Sequence, residues 1–339
     1  MTAAASYPCL TAHLHAERHF AVRVLPAAER EIGSCLSGSG RSPHPAPRAR
    51  RPVHARAGDG REPMDTLTAL AGQIAQLDAV DTAQLERMRH EALTAPVPWK
   101  AEYSAYQSGG WWTTSLMNAS GDPADVTIGD CTARPTDLLA QMPATAALLT
   151  ELGLNYMWVR LARLEANAFL WEHRDYDELD QVERHRLHIP LHTNTSAFLV
   201  TGGAKVHMTG GRIWRLTPTY AHGVCNLLGP DRIHLIADVY ADDAYRRLAR
   251  RPTLHPGSAE PLPSADQAVL AERLQAARGM AGLGYTDAVE RMLLRLFYTY
   301  ALPEGAVYDL IAELHTSLGD EEAATRWTTA KRRLLALTA

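Results

Sequence analysis

Hydrophobic spacing along the chain changes character twice, near residue 64 and again near residue 245. Asp78–Leu93 (DAVDTAQLERMRHEAL) carries apolar residues at helical intervals. Asp81 or Thr82 is placed to cap its start, with Leu85, Met88 and Leu93 on the apolar side. Tyr103–Gly121 (YSAYQSGGWWTTSLMNASG) is rich in aromatic residues and broken by glycines, which predicts strands joined by turns. Pro135–Gly153 predicts a helix with Leu138, Leu139, Met142, Leu148 and Leu149 as its stripe. Residues 155–241 then break into short segments (WVRLARL, FLWEHRD, RLHIPLHT, SAFLVT, KVHM, GRIWRLT, DRIHLIADVY) separated by Gly, Asn, Asp and Pro. Many short strands at close spacing predict a sandwich or barrel such as a jelly roll. After Asp242 the 3.6-residue period returns in Ala265–Ala277, Thr286–Tyr300, Gly305–Leu318 and Glu321–Leu337. Asp320 and Thr286 are the candidate caps there, and Pro303 suits a helix start. The expected fold class is mainly β with α. A jelly-roll domain with N-terminal helices spans 64–245, and a helical domain spans 246–339.

Residues 1–63 follow neither period. They are rich in Ala, Arg, Pro and His, as in the run Ser42–Pro43–His44–Pro45–Ala46–Pro47–Arg48–Ala49–Arg50–Arg51–Pro52. Such a stretch buries too little surface to offset its ordering entropy, so it is expected to be disordered. Met64 sits where regular patterning begins, which raises an upstream start codon as the origin of the extension.

Composition narrows the class. The chain has 339 residues, 46% hydrophobic and 21% charged, which suits one large core or one core plus a small second domain. A net charge of −4 points to neither nucleic acid nor an anionic membrane surface. Cys9, Cys35, Cys131 and Cys225 are scattered, with no C-x-x-C pair, which argues against a zinc ribbon or a disulfide framework and for a cytoplasmic setting. No apolar run is long enough to predict a membrane span, and no signal-peptide stretch is expected.

Seven of the fifteen histidines fall between positions 173 and 234. The informative one begins His173–Arg174–Asp175. In a strand, residues two apart share a face, so an imidazole and a carboxylate converge there. His222, on a separate segment, suits the third ligand. Two histidines and one carboxylate on one face leave open positions on a non-heme iron(II), enough for a bidentate 2-oxo acid and dioxygen. H-x-D alone is common by chance. What strengthens it is Arg232, ten residues after His222, because a guanidinium matches the distal carboxylate of 2-oxoglutarate. Arg186 and His188 form a second same-face pair suited to carboxylate oxygens, or to a solvent-facing strand. His185 and His192 read as surface or structural, and His207 and His234 as ordinary buried histidines. A zinc hydrolase would need an H-E-x-x-H helix, and none is present.

These residues resemble the aspartyl/asparaginyl β-hydroxylase-type domain. The matching elements are Trp171–Asp175 (WEHRD), Arg186–Leu191 (RLHIPL), Gly210–Trp214 (GGRIW), His222, Asn226 and Arg232. Arg212 stands where that family often has Glu. Tyr103–Trp111, Leu116–Gly121, Phe297–Tyr300 and Pro303–Gly305 extend the resemblance to the bacterial proline 3-hydroxylases, over roughly residues 72–335. The resemblance implies a double-stranded β-helix core, with His173, Asp175 and His222 as iron ligands. It also implies Arg232 on 2-oxoglutarate, with Arg186 and His188 as secondary contacts. Animal members acting on peptides lack the ligand carboxylate, whereas Asp175 is present here.

The implied reaction is hydroxylation of an unactivated C–H bond of an amino acid, proline or a related residue, free or in a peptide. The runner-up target is an aspartyl or asparaginyl residue. A substrate carboxylate calls for a cation, and Arg160 and Arg163 are the candidates. They have opposite parity, so at most one points inward. Trp111 and Trp112 are candidates to wall the substrate side. The rival of another class is a non-catalytic cupin-like module that binds a metal or ligand, which would not need Asp175, Arg186 and Arg232 together. The C-terminal helices suit either a substrate entrance or a homodimer contact.

Overall fold

The computed structural model describes residues 63–103, 105–175 and 182–335. The reading of the extension before Pro63 therefore lies outside the described residues. Two antiparallel sheets form the jelly-roll core. The larger runs in the order Ile74–Ala79, Arg212–Leu216, Arg184–His192, Arg232–Tyr240, Tyr156–Leu164, Trp111–Asn118 and Lys100–Ala101, with Arg134–Pro135 beside Trp111–Asn118. The smaller runs Ala259–Pro261, Ala204–Val206, Ala197–Thr201, His222–Asn226 and Ala168–Phe169.

Both sheets have one face toward a shared cavity and one face covered by helices. On the larger sheet, Val159, Leu161, Leu187, Ile189, Leu235 and Val239 pack outward onto Met88 and Ala92 of helix Thr82–Thr94 and onto Leu148 and Leu149 of helix Pro143–Leu152. Each such side chain contributes about 1.5–3 kcal/mol on burial. On the smaller sheet, Phe169, Val200 and Cys225 pack against Leu293, Tyr298, Tyr308 and Trp327 of the C-terminal helical region. Covering both faces explains why Tyr156–Leu164 and Arg232–Tyr240 are buried almost throughout.

Several boundaries differ from the sequence reading. The first predicted helix starts at Thr82, where the Asp81 carboxylate accepts the Gln84 N–H at 3.0 Å. Asp78 and Ala79 instead end the edge strand Ile74–Ala79, which the pattern had not suggested. Leu93 is 51% exposed, and Ala92 takes the buried place. The Pro135–Gly153 segment is two helices, Asp137–Ala140 and Pro143–Leu152. Pro143 has no N–H to continue the first, and its fixed φ opens the second. Asp320 caps the last helix as expected, accepting the Ala323 N–H at 3.0 Å. Thr286 is the first helical residue and Tyr285 the cap, without a side-chain bond. Pro303 precedes a turn, and that helix begins at Ala306 after Gly305, whose φ is +76°. The strand Ala259–Pro261, inside the region expected to be helical, extends the smaller sheet. Among the described residues, no helix is long and apolar enough to cross a membrane.

Candidate metal centre and cosubstrate pocket

His173 and His222 lie opposite each other on a short antiparallel bridge at one end of the smaller sheet. Their ring centroids are 4.5 Å apart. Each imidazole is oriented by its own chain: His173 Nδ1 bonds the Trp171 carbonyl at 2.7 Å, and His222 Nδ1 bonds the Tyr220 carbonyl at 2.8 Å. A carbonyl can only accept, so Nδ1 carries the hydrogen and Nε2 keeps its lone pair. Both Nε2 atoms turn toward Asp175, at 3.7 Å from Oδ1 for His173 and 3.5 Å from Oδ2 for His222.

All three donor atoms lie within 4.8 Å of one another. Burial pushes His173 down and His222 down to about 3, so both rings are neutral near pH 7. Burial opposes ionisation of Asp175, but the Arg186 guanidinium overcomes it and holds the carboxyl below its usual range. Two lone pairs and a carboxylate thus face one point. Such a set of acceptors is stable together when a cation sits among them, and two nitrogens with one oxygen suit iron(II) and its neighbours.

The cavity behind this point is lined by both sheets, including Tyr103, Trp111, Arg160, His188, Arg232 and His234. Arg232 is 2% exposed, and its Nε and Nη1 have no hydrogen-bond partner. Among the described residues it has no acidic partner, and burial lowers its pKa to about 9. A guanidinium left this way is costly, and an anion entering the cavity would offset that cost. His188 and His234 lie beside it, their Nδ1 atoms 3.4 Å apart and their Nε2 atoms without partners. Both are held neutral by burial and by the Arg232 charge.

The structure separates the paired candidates of the sequence reading. Arg160 faces the cavity, stacked over Trp158 at 3.7 Å and bonded to Asp238 at 2.6 Å. Arg163, one position out of phase with that inward face, pairs with Asp231 at 2.8 Å and Glu165 at 3.2 Å and is absent from the cavity lining. Trp112 joins that outer cluster through Glu165 at 2.9 Å, whereas Trp111 lines the cavity. Arg186 is engaged by carboxylates of the protein itself: Nη1 donates to Asp175 Oδ2, and Nε donates to Asp238 Oδ1 at 2.8 Å. In this structure it holds the Asp175 carboxylate in place.

Two residues of the site were not singled out from the sequence. Asp238 is completely buried and joins Arg160 to Arg186. Its signal is an acidic residue in an apolar strand, on the same face as Arg232 and His234. Glu102 has a buried Oε2 without a partner, and burial raises its carboxyl to about 7 against the pull of Arg160 and Arg186. It carries no recognisable motif. Next to it Tyr103 adopts φ +57°, a strained value for a bulky residue, and packs on Trp111 at 5.6 Å.

Residues 82–242 match the family model of aspartyl/asparaginyl β-hydroxylase. The domain so matched contains all three candidate ligands and Arg232. A curated relative, L-proline cis-4-hydroxylase of Rhizobium meliloti (strain 1021), is 25% identical over 229 residues, covering 66% of this chain and 81% of that protein. Among solved structures, a 2OG-Fe(II) oxygenase family oxidoreductase from Burkholderia pseudomallei is 14% identical, with a TM-score of 0.36, and covers 55% of this chain and 93% of the other. A prolyl-4-hydroxylase from Pseudomonas putida is 15% identical, with a TM-score of 0.34, covering 52% and 98%.

Proposed function

We propose that this protein is an iron(II)- and 2-oxoglutarate-dependent dioxygenase that hydroxylates a C–H bond of an amino acid, proline or a close relative. The observation that carries the reading is the combination in one cavity of a convergent His–Asp–His acceptor set and a buried guanidinium with no counter-ion among the described residues.

His173, Asp175 and His222 would hold the metal. When bound, it supplies with 2-oxoglutarate and dioxygen the oxidation that turns C–H into C–OH, releasing succinate and carbon dioxide. Arg232 receives the distal carboxylate of 2-oxoglutarate, with His188 and His234 as neutral neighbours. Arg186 fixes Asp175 through a charge-assisted bond while leaning on Asp238, so the ligand carboxylate is oriented before metal arrives. Trp111, Leu170 and Ile236 make the walls apolar and exclude water. A free amino acid is a zwitterion. The Arg160 guanidinium offers a partner for its carboxylate, and the Glu102 carboxylate, ionised in response, one for its amine. The family match supports a second target, an aspartyl or asparaginyl residue of a peptide.

The test is succinate formation by purified protein under air with iron(II), ascorbate, 2-oxoglutarate and a panel of free amino acids led by L-proline. Succinate that rises with proline, and a product one oxygen atom heavier, is the expected result. Succinate independent of any free amino acid would move the target to peptides or carrier-bound residues. No succinate from iron-loaded protein with either class of substrate would overturn the enzyme reading.

A further inference from the structure

The segment that carries His173 and Asp175, pinned by single bridges at Leu170 and His173, has a second side, and the C-terminal helices hold it. Leu170 accepts a bond from the Tyr298 hydroxyl. Trp171 stacks on Trp327 with centroids 4.9 Å apart. The buried Glu172 accepts the Gly305 N–H at 3.0 Å on its carboxylate and the Tyr308 hydroxyl on its carbonyl. Arg174 gives its own N–H to the Leu334 carbonyl at 2.7 Å, and its guanidinium forks onto Glu304 at 2.7 and 2.8 Å. The same guanidinium reaches the Thr219 carbonyl in the turn before His222. That second ligand segment is backed from the same side. A side chain at Gly223 would meet the Tyr298 hydroxyl at 2.5 Å and Phe297 at 2.9 Å, so only glycine lets the helices approach so closely.

His173 and Asp175 line the cavity, whereas Glu172 and Arg174 bond to the helical region on the other side. We infer that the C-terminal helices are a brace for the metal centre, with Arg174 and Glu304 as positioning residues that set the spacing of His173 and Asp175 against His222. This rests on the reading of those three residues as metal ligands. It gives the helical region a task inside the subunit.

The experiment is cobalt(II) titration of the full-length, metal-stripped protein, followed by calorimetry and visible absorption. Arg174→Ala and Glu304→Ala are each expected to weaken cobalt(II) binding about tenfold, the range for residues that orient metal ligands. Because the two act as one unit, the double variant should lose no more than either single variant. Arg174→Lys should recover part of the loss, since one of the two bonds to Glu304 can still form. The melting temperature of the metal-free variants should fall by less than about 3 °C, as a half-exposed ion pair contributes little to stability. Binding as tight as in the unaltered protein, or additive losses in the double variant, would overturn the brace. Should the alanine variants fail to fold, Tyr308→Phe removes only the bond to Glu172, and cobalt(II) affinity unchanged in that variant would overturn it equally. Failure of the unaltered protein to bind cobalt(II) would instead overturn the ligand reading beneath it.

Discussion

His173 and His222 each donate a backbone N–H to the other's carbonyl, at 2.8 and 2.9 Å. Directly opposed residues of such a pair present their side chains on the same side, about 5 Å apart. The spacing of the two imidazoles is therefore a property of the backbone bridge, and the Nδ1 bonds to Trp171 and Tyr220 fix their rotation. Replacing one ring leaves that bridge intact. His222→Ala should lose stoichiometric metal and all turnover while keeping a cooperative melt close to that of the unaltered metal-free protein. Metal content after gel filtration, read beside circular dichroism, checks this. Full metal occupancy in the variant would remove His222 from the ligand set.

Arg232 makes an opposite pair of demands. Its charge is needed when 2-oxoglutarate binds and is a burden when the pocket is empty, because no acidic partner among the described residues offsets its desolvation. Arg232→Met keeps most of the stem's packing and removes the charge. The variant's affinity for 2-oxoglutarate should fall at least about thirtyfold, as expected when one partner of a buried charged pair is lost. Its metal-free melting temperature should rise. A lower melting temperature would mean that the guanidinium is stabilised by something other than the incoming anion.

Most of this site was readable because the chemistry is written in same-face spacing. His173 and Asp175 sit two apart, on a segment that is not the strand expected there but is bridged to His222, and Arg232 shares parity with His234 and Asp238 along one strand. Parity also framed the choice between Arg160 and Arg163, which the inward turn of Arg160 resolves. Asp238 escaped because a buried carboxylate gains meaning only when neighbouring strands bring Arg160 and Arg186 to it, and pairing across a sheet leaves no local trace. The edge strand Ile74–Ala79 escaped for a related reason. Its partner, Arg212–Leu216, lies far along the chain, and its own six residues show no alternation. The helix break at Pro143 was a local signal overridden by the leucine periodicity on either side.

Two guanidinium groups, those of Arg160 and Arg186, are bonded to Asp238. Asp238→Asn keeps the shape and removes the charge. Arg160 and Arg186 are then left buried with Asp175 and Glu102 as neighbouring acids, and breaking a buried ionic cluster in this way costs about 3–5 kcal/mol. Urea unfolding should show a loss of that size. A change below about 1 kcal/mol would mean that the network is solvated in solution.

Acid sensitivity of the metal-free fold can be assigned to single groups. His185 stacks flat on Tyr245 at 4.5 Å, and burial, aided by the Arg215 charge, lowers its pKa to about 4. Above the unfolded value of about 6.5 the ring is neutral in both states and adds no pH dependence. Below it the unfolded chain binds a proton that the folded chain refuses, so stability falls as pH drops from about 6.5 toward 4. The slope is up to about 1.4 kcal/mol per pH unit for this one ring. His188 and His234 act in the same direction. Glu102 and Glu172, both raised to about 7, act in the opposite one, since the fold takes up their protons first. The total slope is thus a mixture, and a difference measurement isolates one member. His185→Phe keeps the stack on Tyr245 and cannot be protonated. Unfolding free energies of both proteins at pH 7, 6 and 5, with chelator present, should converge or cross in favour of the phenylalanine variant as pH falls. A difference that stays constant from pH 7 to 5 would show that His185 titrates alike in the folded and unfolded chains.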